Sequence, residues 1–105
     1  MLKIGTTEVL RNIDRKTFAA SYYDKAVLIP KELYNREEDW SRDDLIRLMH
    51  EFGHMYNKHR ASPLDSIGVI QGRELEARSY VYDCIKPEYY QDVNKIAWTC
   101  LKTYL

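Results

Sequence analysis

The sequence predicts an α+β domain in which a small antiparallel or mixed β-sheet is followed by three helices. Three observations support this prediction. The N-terminal third carries β-rich pieces, the remainder carries apolar residues at helical spacing, and prolines and cap residues mark the boundaries. With 105 residues, of which 45% are hydrophobic and 30% charged, the chain has the size and composition of one folded domain, residues 1–105.

The first segment of the chain predicts a short helix. Thr6 or Thr7 is a suitable N-cap residue, because its side-chain oxygen can accept a hydrogen bond from a backbone N–H of the first turn. The helix would carry the apolar residues Val9, Leu10 and Ile13.

The next segment, TFAASYYDKAVLIP at residues 17–30, predicts a β-hairpin. It contains two pieces rich in strand-forming residues on either side of Asp24 and Lys25. The second strand, AVLI at 26–29, ends at Pro30, because proline lacks the N–H that a strand inside a sheet must donate. A polar connection then leads to the helical part of the chain.

The first of the three helices that follow the sheet is predicted to begin at Ser41. Asp44 follows three residues later, which gives the start the pattern of a capping box. The helix is expected to fade near His59. One apolar face, expected to pack into a core, steps by 4, 3 and 4 residues along Leu45, Met49, Phe52 and Tyr56.

A second helix begins somewhere between Leu64 and Arg73 and ends at Lys86, where Pro87 stops it. Its expected inward stripe consists of Ile70, Glu74, Ala77, Val81 and Cys84. A last helix spans roughly residues 88–103. Its apolar residues are Val93, Ile96, Ala97, Cys100 and Leu101.

Charge and hydropathy argue against two classes of partner. The 16 basic and 16 acidic residues cancel, and no dense Lys/Arg run is present, so we expect no nucleic-acid partner. No apolar run approaches the ~20 residues that span a bilayer, so we expect no membrane partner. The N-terminal MLKIGTTEVLRNID lacks the apolar region of a signal peptide, which predicts a cytoplasmic protein.

The two cysteines fit this compartment. Cys84 and Cys100 form no CxxC pair, and we expect each to be a reduced, buried thiol. A disulfide between them is the alternative if the chain comes from an unusual redox setting, such as the cytosol of a hyperthermophile.

The segment HEFGH at residues 50–54 carries the candidate chemistry. Residues four apart on a helix lie about 40° apart around the axis, so His50 and His54 can point at one metal ion. Glu51 lies about 100° from His50, beside such an ion, where it could accept a proton from a water molecule. The alternative is a half-buried, hydrogen-bonded pair of histidines on a structural helix.

A catalytic zinc site requires a third protein ligand. The extended pattern HExxHxxGxxH fails, because the chain has Asn57 and Arg60 at the positions of its glycine and last histidine. His59 lies five residues after His54, about 140° away around the helix, and is expected to be a surface histidine.

Glu74 is the better third ligand. It is in register with the inward stripe of the second helix, where an unpaired carboxylate would be costly. Glu76 is two residues off that stripe and is expected to be solvated.

Gly53 lies between the two histidines, inside the predicted helix. Glycine at such a position costs about 0.8–1.0 kcal/mol relative to alanine, so its presence calls for a reason. Close passage of a strand or of the Glu74 helix would account for it, and chance is the alternative.

With HEFGH at 50–54 and ELEAR at 74–78, the chain resembles the gluzincin-type zincin metallopeptidases. The layout of residues 26–54 is similar to that of the ImmA/IrrE metallopeptidase family, and the short length resembles the archaeal minigluzincins. The resemblance covers roughly residues 18–86. It implies a minimal zincin-like domain with a three-stranded sheet, an HExxH active helix, a glutamate helix and a C-terminal helix, and peptidase activity that can be latent.

The resemblance also implies a Zn²⁺ site, with His50, His54 and Glu74 as ligands and Glu51 as the catalytic base. Related motifs place Asp or Asn four residues after the ligand glutamate, where it can orient a zinc histidine. This chain has Arg78 there, which can only donate hydrogen bonds. Orientation would then come from a backbone carbonyl or another acid, with Asp65 and Asp83 as candidates.

Three hypotheses for function follow. The first is a small zinc metallopeptidase acting on a peptide or protein substrate, as a monomer or small homo-oligomer. It could be latent, with the C-terminal TCLKTYL covering the cleft, or that segment could simply be a core helix. The second is a zinc-binding regulatory module, ImmA-like and specific for one partner, with little general peptidase activity. The third is a metal-free structural domain.

Overall fold

The computed structural model describes residues 2–4, 7–12, 17–21, 25–34, 36–60, 62 and 64–102. In these residues an N-terminal sheet is followed by a helical part, which confirms the predicted α+β class. The strands are β1 (Leu2–Ile4), β2 (Thr7–Asn12), β3 (Ala19–Ser21) and β4 (Ala26–Pro30). The α-helices are α1 (Arg42–Tyr56), α2 (Ile67–Cys84) and α3 (Tyr90–Lys102), with short 3-10 helices at Glu37–Asp39 and Pro87–Tyr89.

The sheet is mixed, with strand order β1-β2-β4-β3. The β2–β4 pair is parallel, whereas β1–β2 and β3–β4 are antiparallel. Within the described residues the sheet has four strands, whereas the resemblance implies three. The antiparallel β3–β4 pair confirms the predicted hairpin, and Lys25 before β4 has a positive φ of 51°. Asp24 lies outside the described residues.

The predicted N-terminal helix is wrong, because this segment forms strand β2. Val9 pairs with Val27 of β4, and both side chains are fully buried. A strand with a neighbour on each side gains two ladders of hydrogen bonds and a buried face, and this outweighs a weak local cap signal. Thr6 and Ile13 lie outside the described residues.

Helix α1 begins as predicted. The Ser41 hydroxyl accepts from the backbone N–H of Asp44 at 3.1 Å, and the Asp44 carboxylate accepts from the backbone N–H of Ser41 at 2.9 Å. These two bonds form a capping box.

The buried face of α1 differs from the predicted stripe. Leu45 and Tyr56 are 51% and 72% exposed, whereas Ile46, His50 and Gly53 are buried. The true stripe is shifted by about one residue. An apolar-periodicity argument cannot detect it, because a histidine and a glycine occupy two of its three positions.

Helix α2 begins at Ile67, after an N-cap at Ser66 whose hydroxyl accepts from the N–H of Val69 at 3.2 Å. Its buried residues, Glu74, Ala77 and Val81, are three of the five in the predicted stripe, and Ile70 is half-buried. Cys84 at its end is exposed, so the expectation of a buried thiol is wrong for this residue.

The three helices share a core formed by Ile46, Val81, Val93 and Ile96. Helix α1 also contacts β3 and β4, so it lies centrally in the domain. The side chains of residues 98–105, which include Cys100 and all of TCLKTYL, lie outside the described part, and the C-terminal latency hypothesis stays a prediction. No helix in the described part of the chain combines the length and apolar character needed to cross a membrane.

Candidate metal centre

The two histidines of HEFGH lie next to each other on α1. His50 is 4% exposed, and the side chain of His54, one turn later, is 15% exposed. Their ring centroids are 4.8 Å apart, and the rings are nearly perpendicular, at 88°. Helical geometry alone produces this proximity, because residues four apart lie on the same face of a helix.

A close approach of α1 and α2 brings Glu74 to these histidines. Gly53 makes the approach possible, because a Cβ at this position would lie 2.7 Å from the backbone oxygen of Ala77 and 2.9 Å from its Cα. The prediction that a neighbouring segment passes close to Gly53 is confirmed, and that segment is the Glu74 helix. Glu74 lies almost one turn before Ala77 on the same buried face.

Each carboxylate oxygen of Glu74 faces one histidine. Oε2 lies 2.6 Å from Nε2 of His50, and Oε1 lies 3.1 Å from Nε2 of His54. Burial by itself raises the pKa of Glu74, but the hydrogen bonds and charges of the two histidines outweigh it and lower the pKa to about 2. Glu74 is therefore an anion in a buried site.

The three residues could hold a metal ion. One donor atom from each of His50, His54 and Glu74 lies within 4.8 Å of the others. Donors bound to one tetrahedral zinc at about 2.0–2.1 Å would be about 3.3 Å apart. The observed 2.6 and 3.1 Å would lengthen slightly, and the widest separation, up to 4.8 Å, would have to close. Two imidazole nitrogens and a carboxylate oxygen are a donor set that suits Zn²⁺.

Glu51 lies beside this trio, half-buried on α1. Burial is the main cause that raises its pKa to about 7, and the negative charge of Glu74 adds to it, while the charge of His54 acts in the opposite direction. A carboxyl group with a pKa near neutrality can both accept and release a proton at neutral pH.

The expectation for His59 is wrong, because its side chain is only 11% exposed. Its Nδ1 lies 2.9 Å from Nδ1 of His54, and its Nε2 lies 3.3 Å from Oε2 of Glu76. Burial lowers the pKa of His59, although the hydrogen bond to Glu76 opposes this effect, and a lowered pKa favours the neutral imidazole. Glu76 itself is 58% exposed in its side chain, as predicted.

The helix end explains how His59 reaches His54. Lys58 has a positive φ of 56°, the N–H of Lys58 donates to Met55 O, and the N–H of His59 donates to His54 O. These two bonds are those of a Schellman motif, which turns the chain and places the residue after the left-handed one against the last turn of the helix. Glycine usually marks such a turn, and lysine stands here, so the sequence pattern did not reveal it.

The two acids considered for orienting a zinc histidine have other roles. Asp65 binds Arg73 at 2.5 and 3.3 Å and accepts from the backbone N–H of Ser62. Asp83 is exposed and lines a groove of about 350 Å³ together with Tyr56 and Tyr80. Neither acid has a described contact with the histidines.

Comparisons with family models, with curated proteins and with solved structures find no match to this chain. The likeness to the zincins therefore rests on two short segments, HEFGH and ELEAR, whose ligand residues are separated by 20 positions from His54 to Glu74. What the chain does has to be inferred from the site geometry.

Proposed function

We propose that this chain is a small zinc-dependent metallopeptidase, which hydrolyses peptide bonds in a peptide or protein substrate. The observation that carries the proposal is the convergence of His50, His54 and Glu74 from two helices, with donor atoms within 4.8 Å. Three protein ligands leave one position of a tetrahedral zinc for water or substrate, which is the arrangement of catalytic rather than structural zinc sites.

The roles of the residues follow from their positions. His50, His54 and Glu74 would hold Zn²⁺ in the buried contact between α1 and α2. A zinc ion bound there would polarise the scissile carbonyl and acidify the attacking water. Glu51 is adjacent to a ligand and is not one of the trio, so its carboxylate is available to take the proton of that water and pass it to the leaving amine.

The sheet offers a place for a peptide beside the active helix. Strand β3 is the last strand in the order β1-β2-β4-β3 of the described sheet, and it packs against α1. An extended peptide could add to the outer edge of β3 through backbone hydrogen bonds, which would bring its own backbone alongside α1. Such binding is largely independent of sequence, as a peptidase substrate site requires.

Zinc content tests the metal site. The protein is loaded with Zn²⁺, freed of unbound metal by gel filtration and analysed for metal. We expect about one zinc per chain for the wild type and for the control Glu88→Ala, whose residue is exposed and distant in sequence. His54→Ala and Glu74→Ala should bind substoichiometric zinc. A wild type without bound zinc would contradict the proposal and favour a metal-free structural domain.

Peptide cleavage tests the chemistry. The zinc-loaded protein is incubated with a mixture of unstructured peptides, and the products are identified by mass spectrometry. Glu51→Gln should keep its zinc and lose activity by about 10²–10⁴-fold, because the amide cannot accept the proton. Equal cleavage by wild type and Glu51→Gln would exclude this mechanism. Zinc binding without any cleavage would favour the regulatory module instead.

A further inference from the structure

Three side chains form a line that leads outward from the candidate metal centre. Nε2 of His54 faces Glu74, Nδ1 of His54 faces Nδ1 of His59 at 2.9 Å, and Nε2 of His59 faces Oε2 of Glu76 at 3.3 Å. Each ring therefore has a partner at both of its nitrogens. Glu76 comes from α2, two residues after Glu74, so the same helix supplies the carboxylate on either side of the two histidines.

Hydrogen-bond chemistry determines which atom donates and which accepts at each contact along this line. An ionised carboxylate only accepts, so Nε2 of His59 is the nitrogen that donates to Glu76. A neutral imidazole has one N–H, and Nδ1 of His59 is then the acceptor. Nδ1 of His54 must donate to it, and the lone pair of His54 remains on Nε2.

That lone pair faces another acceptor. Nε2 of His54 lies 3.1 Å from Oε1 of Glu74, and a carboxylate oxygen can only accept a hydrogen bond. Two acceptors at this distance repel each other unless a proton or a metal ion lies between them. The line from Glu76 through His59 thus prepares His54 to bind a cation through Nε2, on the side where Nε2 of His50 also points.

We propose that His59, oriented by Glu76, is a positioning residue that fixes the Nε2-binding tautomer and the ring orientation of His54 for the metal. This inference rests on the proposed function, because it assumes that His54 is a metal ligand. It gives His59 the orienting role that an Asp or Asn plays in related motifs, with an imidazole supplied by the Schellman turn in place of an acid on α2.

The different burial of His59 and Glu76 predicts that substituting them lowers zinc affinity by different amounts. His59 is 11% exposed in its side chain, whereas Glu76 is 58% exposed. Loss of the partner that orients a metal-bound histidine typically costs 10–100-fold in metal affinity. We expect a loss of about 10–100-fold for His59→Phe, which keeps a planar ring without nitrogens. Glu76→Gln should have a smaller effect, because water can replace an exposed partner.

The test measures the Zn²⁺ dissociation constant by competition with a chromophoric chelator. His59→Asn is the diagnostic variant, because its amide oxygen can take the place of Nδ1 and accept from His54. The expected order of zinc affinity is wild type, then His59→Asn close to it, then His59→Phe. Glu88→Gln serves as the control for the loss of an exposed carboxylate.

A second readout separates positioning from a purely structural role. Nitrogen-15 NMR of the zinc-loaded wild type should show His54 protonated at Nδ1 and metal-bound through Nε2. In His59→Phe we expect a changed Nδ1 signal, because its hydrogen-bond acceptor is gone. The melting temperature of each metal-free variant, measured in parallel, reports any general loss of stability.

The outcomes are distinct. Wild-type zinc affinity in His59→Phe would overturn the inference and leave the proposed function intact. Equal weakening in His59→Asn and His59→Phe would also overturn it, because the acceptor atom would then make no difference. A wild type that binds no zinc would overturn both the inference and the proposed function.

Discussion

Gly53 shows at the scale of one residue how the candidate metal centre depends on close packing. The two helices approach so closely here that a Cβ would lie within 2.7–2.9 Å of backbone atoms of Ala77. Backbone cannot rotate away as a side chain can, so any larger residue must push α1 and α2 apart. The two histidines lie on α1 and Glu74 lies on α2, so the distance between them would increase if the helices moved apart.

We therefore expect Gly53→Ala to destabilise the protein by about 1–3 kcal/mol, despite the better helix propensity of alanine. Zinc affinity should fall at the same time. Gly72→Ala in α2 is the matched control, because a Cβ there meets nothing within 4 Å. Helix propensity predicts that the control gains about 0.8–1.0 kcal/mol. Urea unfolding measures both changes, and a Gly53→Ala protein as stable as Gly72→Ala would contradict the packing argument.

At the scale of elements, different capping motifs terminate the two ends of α1. Its N-terminus has the capping box of Ser41 and Asp44, and its C-terminus has the Schellman turn at Lys58. The capping box can be recognised from the local sequence. The Schellman turn cannot, because it places a lysine, and not a glycine, in the left-handed region. Ser41 lies about 2.5 turns before His50, so its contribution should concern stability and not the site.

Ser41→Ala tests this separation. Removal of the hydroxyl that accepts from Asp44 N–H should cost about 1 kcal/mol in the free energy of unfolding, measured in urea. Zinc affinity should stay at the wild-type value. Ser79→Ala, an exposed mid-helix serine that bonds back to Leu75 O, is the control and should change stability little. A zinc affinity that falls with Ser41→Ala would show that the helix start and the site are coupled.

At the scale of the whole molecule, the buried site joins α1 to α2 at the centre of the domain. His50 and Glu74 are the two buried polar residues among the described part of the chain, and the rest of that core is apolar. An ion held by residues of both helices would bind the folded chain and not the unfolded one. Metal binding and folding would therefore be linked.

Zinc should raise the melting temperature of the wild type. At a free zinc concentration of 100 times the dissociation constant, the stabilisation is about 2.7 kcal/mol. For a domain of this size that corresponds to a rise of roughly 10 °C or more. Removal of zinc with a chelator should reverse the shift, measured by circular dichroism. His54→Ala is the control that should show little change with zinc, and an equal shift in that variant would place the ion elsewhere.

The sequence by itself determined the features that depend on neighbours along the chain. The capping box at Ser41, the hairpin before Pro30 and the inward position of Glu74 on α2 are local patterns, and the structure confirms each of them. The spacing of His50 and His54 likewise needs only helical geometry to bring the rings together.

Tertiary structure decided the rest. Residues 7–12 became a strand because strands on both sides could pair with it, and the buried face of α1 was set by what packs against it. His59 was drawn inward by a chain reversal that only the Schellman bonds reveal. The meeting of Glu74 with the histidines depends on the Gly53–Ala77 contact. Hydrophobic period and spacing are properties of one segment, whereas these outcomes are properties of pairs of segments, and only the folded chain specifies which segments meet.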